Sequence, residues 1–132
     1  MRCLLFALCF VPLVGCGDGT LEVRGKVTFD GKAVESGTIT FEPEDRNGPS
    51  RGGPITKGEY RVTAQDKMTP GAKVVRIQSF GPSGKKVSAA PGSTTMVDEF
   101  KQHIPAQYNT NSTLKATVEA GKENVFDFDL KP

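Results

Sequence analysis

The sequence predicts an all-β protein, a single β-sandwich of Greek-key type with about seven strands. Apolar and polar residues alternate at period two in several short runs, the mark of strands with one buried face. Turn signals built on Gly, Pro, Asn and Asp recur between those runs, and no long stretch carries an amphipathic helical pattern.

Residues 21–29 open the domain, with Leu21, Val23, Val27 and Phe29 on one face and Glu22, Arg24, Lys26 and Thr28 on the other. Gly25 interrupts the apolar side, marking a bulge or a close backbone crossing. Asp30-Gly31 is a hairpin turn signal. Residues 36–42 follow with Ile39 and Phe41 sharing a face, and Pro43 ends that strand. Residues 44–54, rich in Gly, Pro and charge, read as an exposed loop. A turn at Lys57-Gly58 leads into residues 59–64, where Tyr60, Val62 and Ala64 point inward. After Thr69-Pro70-Gly71, residues 73–80 carry Val75 and Ile77 on one face and Val74 and Phe80 on the other, the pattern of a central strand.

The pattern fades over residues 81–104. Residues 81–92 read as mobile, and residues 95–100 fit either a strand on another edge of the sandwich or one helical turn capped by Thr95 and Asp98, the strand being favoured. Alternation returns in residues 114–119. It is clearest in residues 125–130, where Phe126, Phe128 and Leu130 face inward while Asp127 and Asp129 face water.

The N-terminus has a different character. Arg2 is followed by the uncharged apolar residues 4–14, far short of the roughly 20 residues a membrane-spanning helix needs but suited to the core of a secretory signal. The segment closes on Leu13-Val14-Gly15-Cys16, which resembles the lipobox of bacterial lipoproteins. The resemblance implies that the Cys16 thiol takes a diacylglycerol and that cleavage before it removes residues 1–15, Gly15 supplying the small residue the peptidase requires. The expected division is a signal peptide at 1–15, a lipidated end and tether at 16–20, and the β-domain at 21–132. Cys3 and Cys9 lie in the removed part, so Cys16 remains as the one thiol, and acylation consumes it. Several acyl chains anchor stably where one binds only marginally. Gly17 stands where an Asp favours inner-membrane retention in well-studied bacteria, which points to the outer membrane, on its periplasmic or surface side.

The β-domain resembles a family of small bacterial lipoproteins with a carboxypeptidase-regulatory-like, or transthyretin-like, sandwich. The matching segments are GKVTFDGK at 25–32, GTITFEP at 37–43, GEY at 58–60, PGAKVV at 70–75, IPAQYN at 104–109, STL at 112–114 and NVFDFDL at 124–130. The resemblance implies a fold and a location. It implies no activity.

Few residues carry readable chemistry. The net charge of +2 is spread along the chain, so no basic footprint marks a nucleic-acid partner. His103 is the single histidine, and alone it neither cages a metal nor completes a triad. Glu42, Glu44 and Asp45 lack the spacing of a calcium loop, and Asp127 and Asp129 are accounted for by exposed alternation. Lys26, Asn124 and Glu42 are superficially placed for a lysine–asparagine isopeptide bond, but Lys26 faces away from the core, whereas that reaction needs a buried lysine. Asn111-Ser112-Thr113 reads as turn chemistry instead of a glycosylation site. Tyr108 reads as a corner tyrosine, with its ring buried and its hydroxyl on backbone. No catalytic residue, cofactor or metal is expected. The expected role is that of a non-enzymatic structural or protein-interaction module held to the membrane by lipid, contacting an unknown envelope protein. The alternative is a glycan- or small-ligand-binding module, for which Tyr108, Phe80 and Phe100 are the candidate contacts.

Overall fold

The computed structural model describes residues 21–132. The signal segment, the lipobox residues Leu13, Val14 and Gly15, and Cys16 lie outside the described residues. Those residues form an all-β body with a curled, largely antiparallel sheet, and no α-helix is present among them. No helix among them is long and apolar enough to cross a membrane.

The strands are β1 (Val23–Phe29), β2 (Lys32–Ala33), β3 (Ser36–Pro43), β4 (Arg51–Thr56), β5 (Glu59–Val62), β6 (Gly71–Gln78), β7 (Phe80–Ser88), β8 (Met96–Gln102), β9 (Lys115–Val118), β10 (Asn124–Val125) and β11 (Phe128–Leu130). The main sheet runs β10-β1-β5-β4-β3-β6-β9. The second half of β1 also carries β2 and β11. Among the described residues, strands β7 and β8 pair only with each other, as a separate two-stranded ribbon.

Two tight turns set the register. Asp30 and Gly31 have φ of 51° and 76°, and Lys57 and Gly58 have φ of 51° and 77°. Two successive left-handed residues make the type I′ turn, whose twist matches that of the flanking strands. These turns bring Phe29 opposite Lys32 and Thr56 opposite Glu59.

Val23, Val27, Ile39, Phe41, Ile55, Val62, Val75, Ile77, Val118 and Leu130 are fully buried, drawn from seven strands and, Ile55 excepted, by the predicted alternation. Burying each such side chain is worth about 1.5–3 kcal/mol. The Tyr60 ring lies between Phe41 and Phe128, at centroid distances of 6.0 and 6.4 Å.

The closing segment is interrupted at Phe126 and Asp127, yet both parts lie parallel to β1 in one register: Val23 faces Asn124, and Val27 faces Phe128. Gly25 sits at the interruption. A Cβ there would lie 1.9 Å from the Phe126 carbonyl oxygen, so the expected close crossing is a contact between the first and last strands.

Four expectations are corrected. Arg51–Thr56 is a strand, so the loop after Pro43 ends before Arg51. Its glycines serve contact: a Cβ at Gly52 would lie 2.1 Å from the Ile39 carbonyl oxygen on the neighbouring strand. Residues 80–88, read from 81 onward as mobile, form β7, and the strand favoured near 95–100 is β8, on the ribbon instead of an edge of the main sheet. The inward strand over 59–64 stops at Val62, and a 3-10 turn, Ala64–Asp66, follows.

Candidate interaction surface

The β7–β8 ribbon begins two residues after β6 and returns to the body at Ile104, which is buried. It is fastened at its base. Ser79 Oγ donates to the Ser36 carbonyl at 2.6 Å, and Gln102 Oε1 accepts from the N–H groups of Ser79 and Ile104 at 2.8 and 3.1 Å. Beyond the base most of its residues are exposed on both faces.

Phe80 lies opposite Gln102, and Pro82 lies opposite Phe100. Directly opposed residues share a face, as do residues two apart, so Phe80, Pro82, Phe100 and Met96 line one side. Phe80 and Phe100 are 59% and 64% exposed and Met96 is 52% exposed, a side-chain environment that water does not favour. Val87 and Val97 face each other on the opposite side, also exposed. Of the large apolar side chains exposed among the described residues, Val125 alone lies off the ribbon.

The candidate residues thus separate. Phe80 and Phe100 lie on the same face of the ribbon, diagonally across its register. Tyr108 does not join them: its ring packs against the core and its hydroxyl accepts the Lys131 N–H at 3.0 Å. That is the corner role expected of it.

The carboxylates are occupied one by one. Glu42 accepts from Arg76 Nε at 2.8 Å, Glu44 pairs with Lys115, and Asp45 accepts the Asn47 N–H at 2.9 Å. Asp127 accepts the Lys26 N–H at 2.8 Å, tying the closing segment to β1. Asp129 accepts from Lys131 Nζ and Thr28 Oγ1, both at 2.9 Å, and these bonds hold its carboxyl below the usual range. Among the described residues no cluster of His, Cys, Asp and Glu is arranged to hold a metal ion. His103 is exposed and lies over Gly81, where a Cβ would come within 2.9 Å of its Nε2.

Three buried polar groups were not read from the sequence. Asn109 Nδ2 donates to the carbonyls of Ile104 and Pro105, each at 3.0 Å, and its Oδ1 accepts the Thr110 N–H at 2.7 Å. Asn109, not Asn111, therefore organises that turn. Asn124 Nδ2 donates to the Glu119 carbonyl at 3.0 Å, and its Oδ1 accepts the Glu119 N–H at 2.9 Å. The buried lysine is Lys73, on the same face as Val75 and Ile77. Burial lowers its ammonium below the usual range against the pull of Asp45, and Nζ donates to Thr69 Oγ1 at 2.9 Å. Lys26 is exposed.

An open cleft of about 760 Å³ lies across β1, β4 and β5, bordered by Arg24, Lys26, Lys57, Glu59, Tyr60 and Asp127. Arg24 is paired with Glu123 outside it. Burial, with the Asp127 carboxylate adding, raises the Tyr60 hydroxyl well above its ordinary range, and it donates to the Phe126 carbonyl at 2.6 Å. The hydroxyl is thus a fixed structural donor.

No protein-family model and no curated protein matches the chain. Among solved structures it is similar to a 9R-lipoxygenase from Cyanothece PCC8801, at a TM-score of 0.37 and 10% identity over 86% of this chain. The match spans 16% of that protein's length, a likeness too slight to bear on fold or function.

Proposed function

We propose that the chain is a non-enzymatic lipoprotein of the cell envelope, anchored through an acylated Cys16, whose ribbon is a protein-contact surface. In this reading the curled sheet is a transthyretin-like sandwich of Greek-key type that serves as a stem. The observation that carries the reading is the pair of exposed rings, Phe80 and Phe100, on one face of a ribbon that no other strand among the described residues covers.

Topology supports display away from an anchor. Leu21 leads into Val23, beside Val62 at one end of the sheet. The ribbon leaves after Gln78 at the other end, where Thr38 faces Gln78 and Ser36 faces Thr56. A tether of residues 16–20 reaches at most about 17 Å, so the lipid end and the ribbon work at opposite poles. The outer membrane remains the favoured location, from Gly17.

The test is a Phe80→Ser/Phe100→Ser double variant of the full chain in its own envelope. It should lose any larger assembly seen on native gels after mild extraction while keeping the wild-type melting temperature. An assembly of unchanged size would count against the contact surface, and specific binding of a free glycan by the wild-type chain would favour the ligand-binding alternative.

A further inference from the structure

We infer that the ribbon's partner is a second copy of this chain, joined along the open edge of β8 in a two-fold antiparallel pair centred on Phe100; this rests on the reading of the ribbon as a contact surface.

The two edges of the ribbon differ. On β7, Pro82 offers no N–H, the register shifts between Pro82 and Lys86, and Lys85 lies within the shift with Lys86 at its end. Proline, bulges and lysines are the devices that keep an edge from pairing. Strand β8 has no proline or glycine, and the extra residues at the register shift lie on β7, so its seven residues present a regular edge.

Which groups that edge offers follows from the hydrogen bonds at its ends. The Ala89 N–H donates to the Thr95 carbonyl and the His103 N–H to the Ser79 carbonyl, both at 2.8 Å. Bonded and non-bonded pairs alternate along an antiparallel ladder, so Val97 and Lys101 bond to β7, with Glu99 left at the register shift. Met96, Asp98, Phe100 and Gln102 therefore aim their N–H and C=O groups at the open edge.

Charge then selects the occupant and the register. Centring a two-fold pair on Asp98, Glu99 or Lys101 sets like charges directly opposite. Centring it on Val97 runs the pair past Met96 and sets Glu99 and Lys101 against uncharged residues. Centring it on Phe100 makes the two Phe100 residues a mutually bonded pair and sets Glu99 of each copy opposite Lys101 of the other, in the closely spaced, non-bonded position. Asp98 then faces Gln102. Among the described residues neither Glu99 nor Lys101 has an ion-pair partner within the chain, although Glu99 accepts a hydrogen bond from Ser83 Oγ on β7. The exposed rings of Phe100 meet across the axis, with Phe80 and Pro82 on the same face. Two copies thus satisfy the edge, the charges and the rings through one repeated contact, as a two-fold interface requires.

The experiment places a photo-crosslinking phenylalanine analogue at position 100 of the full chain in its own envelope. It is repeated with Glu99→Lys, with Lys101→Glu and with both, melting temperatures being checked to be equal. The expected result is a covalent homodimer whose yield falls about tenfold with either single charge reversal and returns when both are present. A homodimer indifferent to the reversals, or not restored by the double variant, overturns the inference. An adduct with a different protein alone overturns the second copy but leaves the contact-surface reading standing. No adduct of any kind overturns both.

Discussion

Replacing Gly25 with alanine drives a methyl group into the Phe126 carbonyl, 1.9 Å from its oxygen and 2.6 Å from its carbon, where ordinary contact begins at 3.4 Å. Both obstructing atoms are backbone, so relief requires the first and last strands to part by more than about 1 Å. Parting them breaks the 2.9 Å bond from the Phe126 N–H to the Arg24 carbonyl and the 2.6 Å bond from Tyr60 Oη to the Phe126 carbonyl. The backbone bond is worth about 1 kcal/mol, and a buried hydroxyl left unpaired costs about 1–3 kcal/mol. Against these stands a gain of up to about 1 kcal/mol from replacing glycine in a strand. The expected net loss is about 1–4 kcal/mol, a large share of a small domain's stability. Urea denaturation of the full chain measures it. Tyr60→Phe should cost about 1–2 kcal/mol alone and less in the Gly25→Ala background, because the bond it removes is already gone there. A Gly25→Ala chain within about 0.5 kcal/mol of wild type, or fully additive losses, would refute the crossing as the feature that closes the sheet.

Because the Tyr60 hydroxyl is raised by burial, its contribution to stability is whole below the usual tyrosine value near 10 and declines as pH rises above it; alkaline unfolding curves should show that decline, and Tyr60→Phe should lack it. Asn109→Ala removes three short bonds at a buried turn and should cost about 2–3 kcal/mol by thermal denaturation, whereas Asn111→Ala, at an exposed position, should stay within about 0.5 kcal/mol. Cys16→Ser should leave the chain unacylated and shift it from the membrane to the soluble fraction or stall it as precursor; unchanged membrane association would contradict the anchor.

The parts of the fold legible in the sequence are those with one wet face and one dry one. β1, β3, β5, β6 and β9 announce themselves because water and core impose opposite demands on neighbouring residues. The closing strand was legible as alternation, and its parallel partner was hinted at by Gly25 alone. β4 was hidden because Gly52 and Gly53 look like loop residues, although Gly52 is small in order to lie against Ile39. β7 was hidden for a different reason: with both faces exposed, nothing selects an alternating pattern, and Gly84, Lys85 and Lys86 read as a loop. Phe80 and Phe100 could be picked out singly as candidate contacts, but their sharing of one face depends on a pairing register that only the structure supplies. The buried Lys73 was readable in principle, since it shares parity with Val75 and Ile77.

The contact surface is tested most directly by amide hydrogen exchange at Asp98, Phe100 and Gln102, compared between the full chain in its native envelope and the same chain dispersed at high dilution. An engaged β8 edge gives slow exchange at these amides in the envelope and fast exchange after dispersal, with the Val97 and Lys101 amides less affected because they already face β7 in the ladder. Fast exchange at Asp98, Phe100 and Gln102 in both states would contradict the account.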